Sequence, residues 1–295
     1  MRPKLTIITP SLNQGKFLER AVRSVLDQGY ENLEYVIVDG GSTDGSVEII
    51  RRYEDRLAWW VSEPDEGQSD AINRGLARTT GEVVAYLNSD DYYLPGAFTT
   101  AIAALQQTNA RWIAGAAECV DEHDRSVGVG VWQPTQPSEW ELWFRGRHWW
   151  AVRTWCVPQP SAFWRRELFD DYGVFRQDMH FAFDAEFFLR LAYAGELPEL
   201  VPDVLSARVE HPAQKSADMK RWEPEREQIV EIFRPQLNAR ERRRLAIARA
   251  LDRVGVLRAR ELVWLHVFPE SVRDVIRPLV PQARRPSVRR RDRSA

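Results

Sequence analysis

The sequence predicts an α/β fold: a mainly parallel sheet flanked by helices. Two observations predict it. Short, near-continuous apolar runs alternate with helix-periodic segments over the first hundred residues. Each run then breaks into a cluster of acids, hydroxyls and glycines. Strands apolar on both faces belong to sheets covered on both sides. In such sheets ligands collect at the carboxyl ends of the strands, so function is sought in the polar residues that follow each strand.

Leu5 to Thr9 reads as the first strand. Phe17, Leu18, Ala21, Val22, Val25 and Leu26 recur at helical spacing and predict a helix over 17–28. Leu33 to Val38 is a second strand, Ser46 to Tyr53 a helix, and Gln68 to Thr79 another that ends near Gly81. Val83 to Leu87 is a further buried strand. From about Trp112 to Val209 the pattern is less regular and rich in tryptophan, including Trp132, Trp140, Trp143, Trp149, Trp150, Trp155 and Trp164. Core packing is the expected role for most of these rings. Asp184 to Ala194 is amphipathic and helical. Residues 217–280 read as a helical, Arg-rich extension, and 281–295 as a basic disordered tail.

The 295 residues are 44 % hydrophobic and 28 % charged, enough for one large domain or two modest ones. The formal charge of −2 excludes the global basic field expected of a nucleic-acid binder. Two cysteines, Cys119 and Cys156, make neither a disulfide framework nor a four-ligand zinc site and fit a reduced, cytoplasmic setting. The apolar run after Met1 is too short for a signal peptide. No stretch approaches the roughly 20 apolar residues of a membrane span. The tail carries six arginines against Asp292. Such a tail suits peripheral contact with anionic lipid at the inner face of the membrane, each charge contributing about 1 kcal/mol.

The strand ends carry the chemistry. They read Ile8-Thr9-Pro10-Ser11-Leu12-Asn13, then Val38-Asp39-Gly40-Gly41-Ser42-Thr43-Asp44-Gly45, then Tyr86-Leu87-Asn88-Ser89-Asp90-Asp91. Between them lie Ser24-Val25-Leu26-Asp27-Gln28 and Asp70-Ala71-Ile72-Asn73-Arg74-Gly75. In order and spacing these motifs resemble the family 2 glycosyltransferases of GT-A fold. The resemblance is specific over about residues 4–95, weaker to about 216. It implies a GT-A domain over 1–216, divided into a nucleotide-binding half (1–95) and an acceptor-side half (96–216).

The resemblance also implies roles. Thr9, Pro10, Ser11, Asn13, Asp39, Gly41 and Ser42 would line the nucleotide pocket, with the Asp39 carboxylate accepting a base N–H. Gln68, Asp70 and Asn73 would approach phosphate and ribose at a helix start, where anions are favoured. Asp70 stands where many members carry a basic residue. Asn88 stands at the first place of the family's Asp-x-Asp motif. Asp90 or Asp91 would bind Mn²⁺ or Mg²⁺, hard cations that take oxygen ligands; Asp90 would also meet the nucleotide, and His211 would reach the same metal. Asp184 matches the family's catalytic base, with Phe183 where most members have a further acid. An aromatic neighbour raises a carboxylate's pKa, which suits a base. Lys215 is placed to meet a phosphate.

The implied activity is metal-dependent, inverting transfer of a sugar from a nucleotide-diphosphate sugar to a saccharide or lipid-linked acceptor, in cell-surface polysaccharide or glycolipid synthesis. A nucleotidyltransferase on a similar sheet is one alternative, with Lys16 and Arg20 as its basic residues near strand one. A catalytically degenerate sugar-nucleotide-binding protein is another, kept open by Asn88. An NAD-dependent dehydrogenase is excluded because Thr9 to Gly15 lacks G-x-G-x-x-G.

Overall fold

The computed structural model describes residues 2–132, 157–215, 221, 223–236 and 239. The first unit runs β1 (Leu5–Ser11), α1 (Gly15–Leu26), β2 (Leu33–Asp39), α2 (Ser46–Arg52), β3 (Trp59–Ser62), α3 (Gln68–Ala77) and β4 (Val83–Tyr86). Then come β5 (Tyr92–Tyr93), α4 (Ala97–Gln107), β6 (Trp112–Asp121), β7 (Ser126–Trp132), β8 (Ala162–Arg165), α5 (Glu167–Tyr172), α6 (Phe183–Tyr193), β9 (Glu199–Glu210) and α7 (Glu223–Phe233).

One sheet takes the order β3-β2-β1-β4-β8-β6-β9-β5, with β7 paired to β6. The β3-β2-β1-β4 half is parallel throughout. Beyond β4 the sheet is mixed: β8 runs antiparallel to β4 and β6, and β9 runs parallel to β6. The mainly parallel sheet expected from the sequence therefore holds for the first half only. The chain leaves β1 towards β2 and β3, then returns to β4 on the other side of β1. That reversal opens a crevice beyond the carboxyl ends of β1 and β4, where open α/β sheets bind ligands.

Alternation along the strands sorts two cores. Ile8, Val36, Val84 and Tyr86 face one layer, with α3, α5, α6 and α7. Leu5, Ile7, Tyr35, Ile37 and Ala85 face the other, with α1 and α4. Leu18, Val22 and Val25 of α1 are fully buried there. Each such side chain contributes about 1.5–3 kcal/mol relative to exposure, so the helix is held by its stripe.

Several elements differ from the sequence reading. β1 runs two residues further, to Ser11, because Pro10 and Ser11 still pair with Val38 and Asp39. Pro10 is tolerated because β4 pairs with β1 only as far as Ile8, so its missing N–H breaks no ladder on that side. The less regular middle contains the long strands β6 and β9. The Ala-rich run of β6 suits a strand here because Gly115 lies against Leu205 of β9, leaving no room for a larger residue. Trp112 and Trp164 are fully buried, as core packing requires. Trp112 stacks on Phe188 at 5.5 Å and Trp164 on Tyr86 at 6.1 Å. Trp132 lies on β7, while Trp140, Trp143, Trp149, Trp150 and Trp155 fall outside the described residues. Of the extension expected over 217–280, the described residues include α7, whose Ile229, Val230 and Phe233 sit in the same core as α6; residues 240–280 lie outside them. The tail of 281–295 lies outside the described residues.

α3 crosses β1 at Gly75, where a Cβ would fall 2.7 Å from Ile8 Cγ2. Gly75→Ala is expected to destabilise the fold by about 1–3 kcal/mol through overpacking. The check is a lower urea midpoint with an unchanged slope.

Candidate functional site

The site is built from the loops after β1, β2 and β4 and from residues near β9 and α6. Asn13 takes a left-handed φ of 51°, a conformation that Asn tolerates. Its N–H donates to Ser42 Oγ at 2.7 Å, and its Oδ1 accepts from Thr43 N–H at 2.9 Å. The loops after β1 and β2 are thus tied together.

Asp39 is fully buried and organises the glycine turn. Its carboxylate accepts from Gly41 N–H (3.1 Å), Ser42 N–H (2.8 Å), Ser42 Oγ (2.6 Å) and Ser62 Oγ (2.7 Å). A carboxylate has about four lone-pair sites, so its capacity is taken up internally. Asp39 thereby holds the loop. The Thr9 hydroxyl lies in the core, 3.0 Å from Tyr35 Oη. Ser11 is the last residue of β1. Its Oγ is buried and has no hydrogen-bond partner among the described residues, a costly state that a ligand would relieve.

Asp65 was missed by the sequence reading because β3, which precedes it, is only four residues long. Its Oδ1 accepts from Gly67 N–H at 2.9 Å. Its Oδ2 sits where a Cβ on Gly40 would be, 2.8 Å away. Gly40 is small because this carboxylate occupies the space. Burial, with the nearby charges of Asp70 and Asp39, pushes the Asp65 carboxyl up.

A chain of side-chain hydrogen bonds crosses the crevice. Lys215 Nζ donates to Gln68 Oε1 (3.1 Å), and Gln68 Nε2 donates to Asn88 Oδ1 (2.6 Å). Asn88 Nδ2 donates to Asp91 Oδ2 and to Gln159 Oε1, both at 3.2 Å. Gln159 Nε2 donates to the Tyr86 carbonyl at 2.9 Å. An ammonium can only donate and a carbonyl can only accept, so the direction of every amide is set from the ends. This explains Asn at 88. An aspartate there would have no proton for Asp91 or Gln159.

The two acids after Asn88 separate. Asp91 is buried, and its other oxygen accepts from Val209 N–H of β9 at 3.0 Å. Burial, reinforced by Asp90, pushes its carboxyl well above the usual range. With both oxygens on internal donors, Asp91 anchors the loop to β9. Asp90 instead meets His211: Nε2 and Oδ2 are 3.1 Å apart, and the imidazole packs on Phe17 at 4.4 Å. Asp90 has no Lys or Arg partner among the described residues. Among them no three His, Cys, Asp or Glu side chains cluster into a self-sufficient metal site. The adjacent carboxylate oxygen and imidazole nitrogen nevertheless fit Mn²⁺ or Mg²⁺ whose remaining ligands come from elsewhere.

Asp184 is the second residue of α6, and its Oδ1 accepts from Ala185 N–H at 2.7 Å. Burial pushes its carboxyl up to about 6, even with the Lys215 charge pulling down. Lys215 lies over the rings of Phe181 (5.3 Å) and Phe183 (5.6 Å) and reaches Gln68 with the same ammonium. Burial lowers its pKa, and the Asp184 charge opposes this. Burial raises the Tyr86 phenol well above its usual range, with the charges of Asp184 and Asp91 adding to the effect. Asp184, Asp90, Asp91 and Asp39 therefore belong to one rim of the sheet.

Asp70 and Asn73 staple α3 to the stretch before α6. Asn73 Nδ2 donates to the Phe175 carbonyl (2.7 Å), and its Oδ1 accepts from Phe175 N–H (3.1 Å). Asp70 accepts from Gln177 Nε2 at 2.7 Å and from Glu66 N–H at 3.2 Å.

Fold and rim together define a nucleotide-sugar-transferase type of α/β domain, and the comparisons agree. The Glycosyl transferase family 2 model matches residues 6–173. The glycosyltransferase Rv1514c of Mycobacterium tuberculosis is 31 % identical over 199 residues, 66 % of this chain and 71 % of that protein. The GalNAc(5)-diNAcBac-PP-undecaprenol beta-1,3-glucosyltransferase of Campylobacter jejuni is 29 % identical over 129 residues, 42 % of this chain and 41 % of its own. Among solved structures, S. aureus TarS 1–349 in complex with UDP-GlcNAc superposes with a TM-score of 0.62 at 19 % identity, covering 94 % of this chain and 79 % of that one. The mannosyltransferase PcManGT of Pyrobaculum calidifontis, in complex with GDP-Man and Mn²⁺, gives 0.51 at 25 % identity over 74 % and 59 %. The chain belongs to glycosyltransferase family 2, with the GT-A fold, and is a glycosyltransferase.

Two outcomes are expected. Asn88→Asp removes the donor that meets Gln159 Oε1 and Asp91 Oδ2 and should cost about 1–3 kcal/mol in chemical denaturation. Ionised Asp184 is disfavoured by the fold, so stability is lost as pH rises from about 4 through about 6. Asp184→Asn should therefore stabilise the protein by on the order of 1–3 kcal/mol at pH 7.5, with the gain vanishing near pH 4. Thermal melts at the two pH values check this.

Proposed function

We propose that this glycosyltransferase transfers a sugar from a nucleotide-diphosphate donor to an acceptor hydroxyl in one displacement that inverts the anomeric centre, with Mn²⁺ or Mg²⁺ bound. The observation that carries the reading is the pairing on one rim of a raised, partner-poor carboxylate, Asp184, with an oxygen–nitrogen donor pair, Asp90 and His211. The named ligands of TarS and PcManGT, UDP-GlcNAc in one and GDP-Man with Mn²⁺ in the other, are of the same kind.

Each residue then has a task. Ser11 Oγ and the loop of Gly40, Gly41, Ser42 and Asn13 receive the nucleoside, with the Asp65 carboxylate beside Gly40. Lys215, held by Gln68 and two rings, offers its ammonium to a phosphate. Asp90 and His211 would hold the cation, which when bound neutralises charge growing on the leaving diphosphate. Asp184 takes the proton from the acceptor hydroxyl as its oxygen bonds to the anomeric carbon and the bond to the diphosphate oxygen breaks. Such a base is typically worth about 10²–10⁴ in rate. A value of about 6 leaves it ionised at neutral pH yet still able to accept a proton.

For the acceptor we propose a saccharide or lipid-linked glycan of cell-surface polymer synthesis, in line with the name of the Campylobacter relative. No described helix is long and apolar enough to cross a membrane. Contact with the inner membrane face is assigned to the arginine-rich end.

The test is a thermal-shift screen of nucleoside diphosphates with and without Mn²⁺. A ligand that binds only the folded state raises its melting temperature. One or more nucleotides should shift the melt further with Mn²⁺ than without, and Asp90→Asn should abolish the Mn²⁺-dependent part. An unchanged melt with every nucleotide sinks the reading.

A further inference from the structure

α6 presents Asp184 in its first turn, yet the chain leading into it has no strand or helix of its own. Its backbone N–H groups must find partners elsewhere. Three consecutive ones find the same carboxylate. Glu225 of α7 accepts from His180 N–H at 2.7 Å through Oε1, and from Phe181 N–H (2.8 Å) and Ala182 N–H (2.7 Å) through Oε2. One helical turn on, Gln228 Nε2 donates to Asp178 Oδ2 at 2.9 Å. Behind these two polar residues, Ile229, Val230 and Phe233 are buried in the core that holds α6, and Phe233 stacks on Tyr193 at 4.9 Å. Charge-assisted hydrogen bonds are roughly twice as strong as neutral ones, so the carboxylate is the dominant hold on 180–182.

We infer that Glu225 is a positioning residue for transfer: it fixes the backbone immediately before Asp184 and makes α7 part of the catalytic unit. The inference rests on Asp184 being the base. The charged and titratable groups that face Asp184 are Lys215 after β9, Tyr86 of β4 and Glu225 itself. Glu225 therefore also contributes negative charge beside the base and favours its protonated form.

The experiment uses the full chain and the variants Glu225→Gln, Glu225→Asp and Asp184→Asn. Nucleoside diphosphate release from UDP-N-acetylglucosamine and from GDP-mannose with Mn²⁺ is followed against pH, and amide hydrogen exchange is read over 178–186. Glu225→Gln replaces one acceptor oxygen with an NH₂ that cannot receive an N–H. It should speed exchange at 180–182 and lower kcat by about 10- to 100-fold with donor KM little changed, the size expected when a reacting group is misplaced. Removing a negative charge beside Asp184 should also move the acid limb of the pH profile to lower pH. Glu225→Asp keeps the charge but falls short of the backbone, so kcat should drop while the limb stays in place. Wild-type kcat and limb in Glu225→Gln overturn the inference, as does a parallel collapse of kcat, donor affinity and melting temperature. If Glu225→Gln does not fold, Glu225→Asp decides alone: wild-type kcat overturns the inference, and a lowered kcat with an unmoved limb supports it. Release undiminished by Asp184→Asn removes the base assignment itself. Release lost in Asp184→Asn but intact in Glu225→Gln removes only the role of Glu225.

Discussion

The stretch between α5 and α6 has no hydrogen-bonded ladder of its own, and the geometry of the rim depends on how it is held. From one side α3 grips it: the Asn73 amide pairs with both the N–H and the carbonyl of Phe175, Asp70 receives Gln177, and Ser69 Oγ reaches the Met179 carbonyl. From the other side α7 grips it through Glu225 and Gln228. Burial of Met179 and Ala182 in the core between these helices fixes the depth. The raised carboxylate of Asp184 thus takes its position from a helix of the first half and a helix near the C-terminal end of the described chain, neither adjacent to it in sequence.

The acids of the rim divide by what they touch. Asp39 and Asp91 are buried with their oxygens on internal donors, and they shape loops. Asp65, Asp90 and Asp184 have fewer internal donors. Burial sets a cost on each, since a carboxylate taken out of water needs donors in its place, and even with two of them Asp91 is pushed well above the usual range. Asn88 belongs to the same logic. Its place in the hydrogen-bond chain from Lys215 to Tyr86 requires a group that both accepts and donates, which an amide does and a carboxylate does not.

Much of the first half was legible in the sequence. Leu18, Val22 and Val25 at helical spacing and the apolar runs at Ile7 and Val36 mark α1, β1 and β2 because burial alone decides those elements. The family, too, was legible, since its motifs sit on those strand ends. The middle was not. β6 is Ala-rich and has little strand propensity, and it becomes a strand because β8 and β9 pair on either side of it. β3 is short and carries two tryptophans that are only half-buried, so no period identifies it.

Of the rim itself, the sequence determined which residue types stand at the strand ends, because motif order along the chain is a one-dimensional property. It placed acids at 39, 90, 91 and 184, an imidazole at 211 and an ammonium at 215. Only the tertiary structure decided which of these face the crevice. That choice depends on the donors each group meets across the fold, such as Val209 for Asp91 or Ser62 for Asp39. Such partners lie tens of residues away and follow no periodicity. For the same reason the stapling of Asp70 and Asn73 to residues 175–177 could not be read in the chain, and Glu225 gave no sign of itself until α7 packed beside α6.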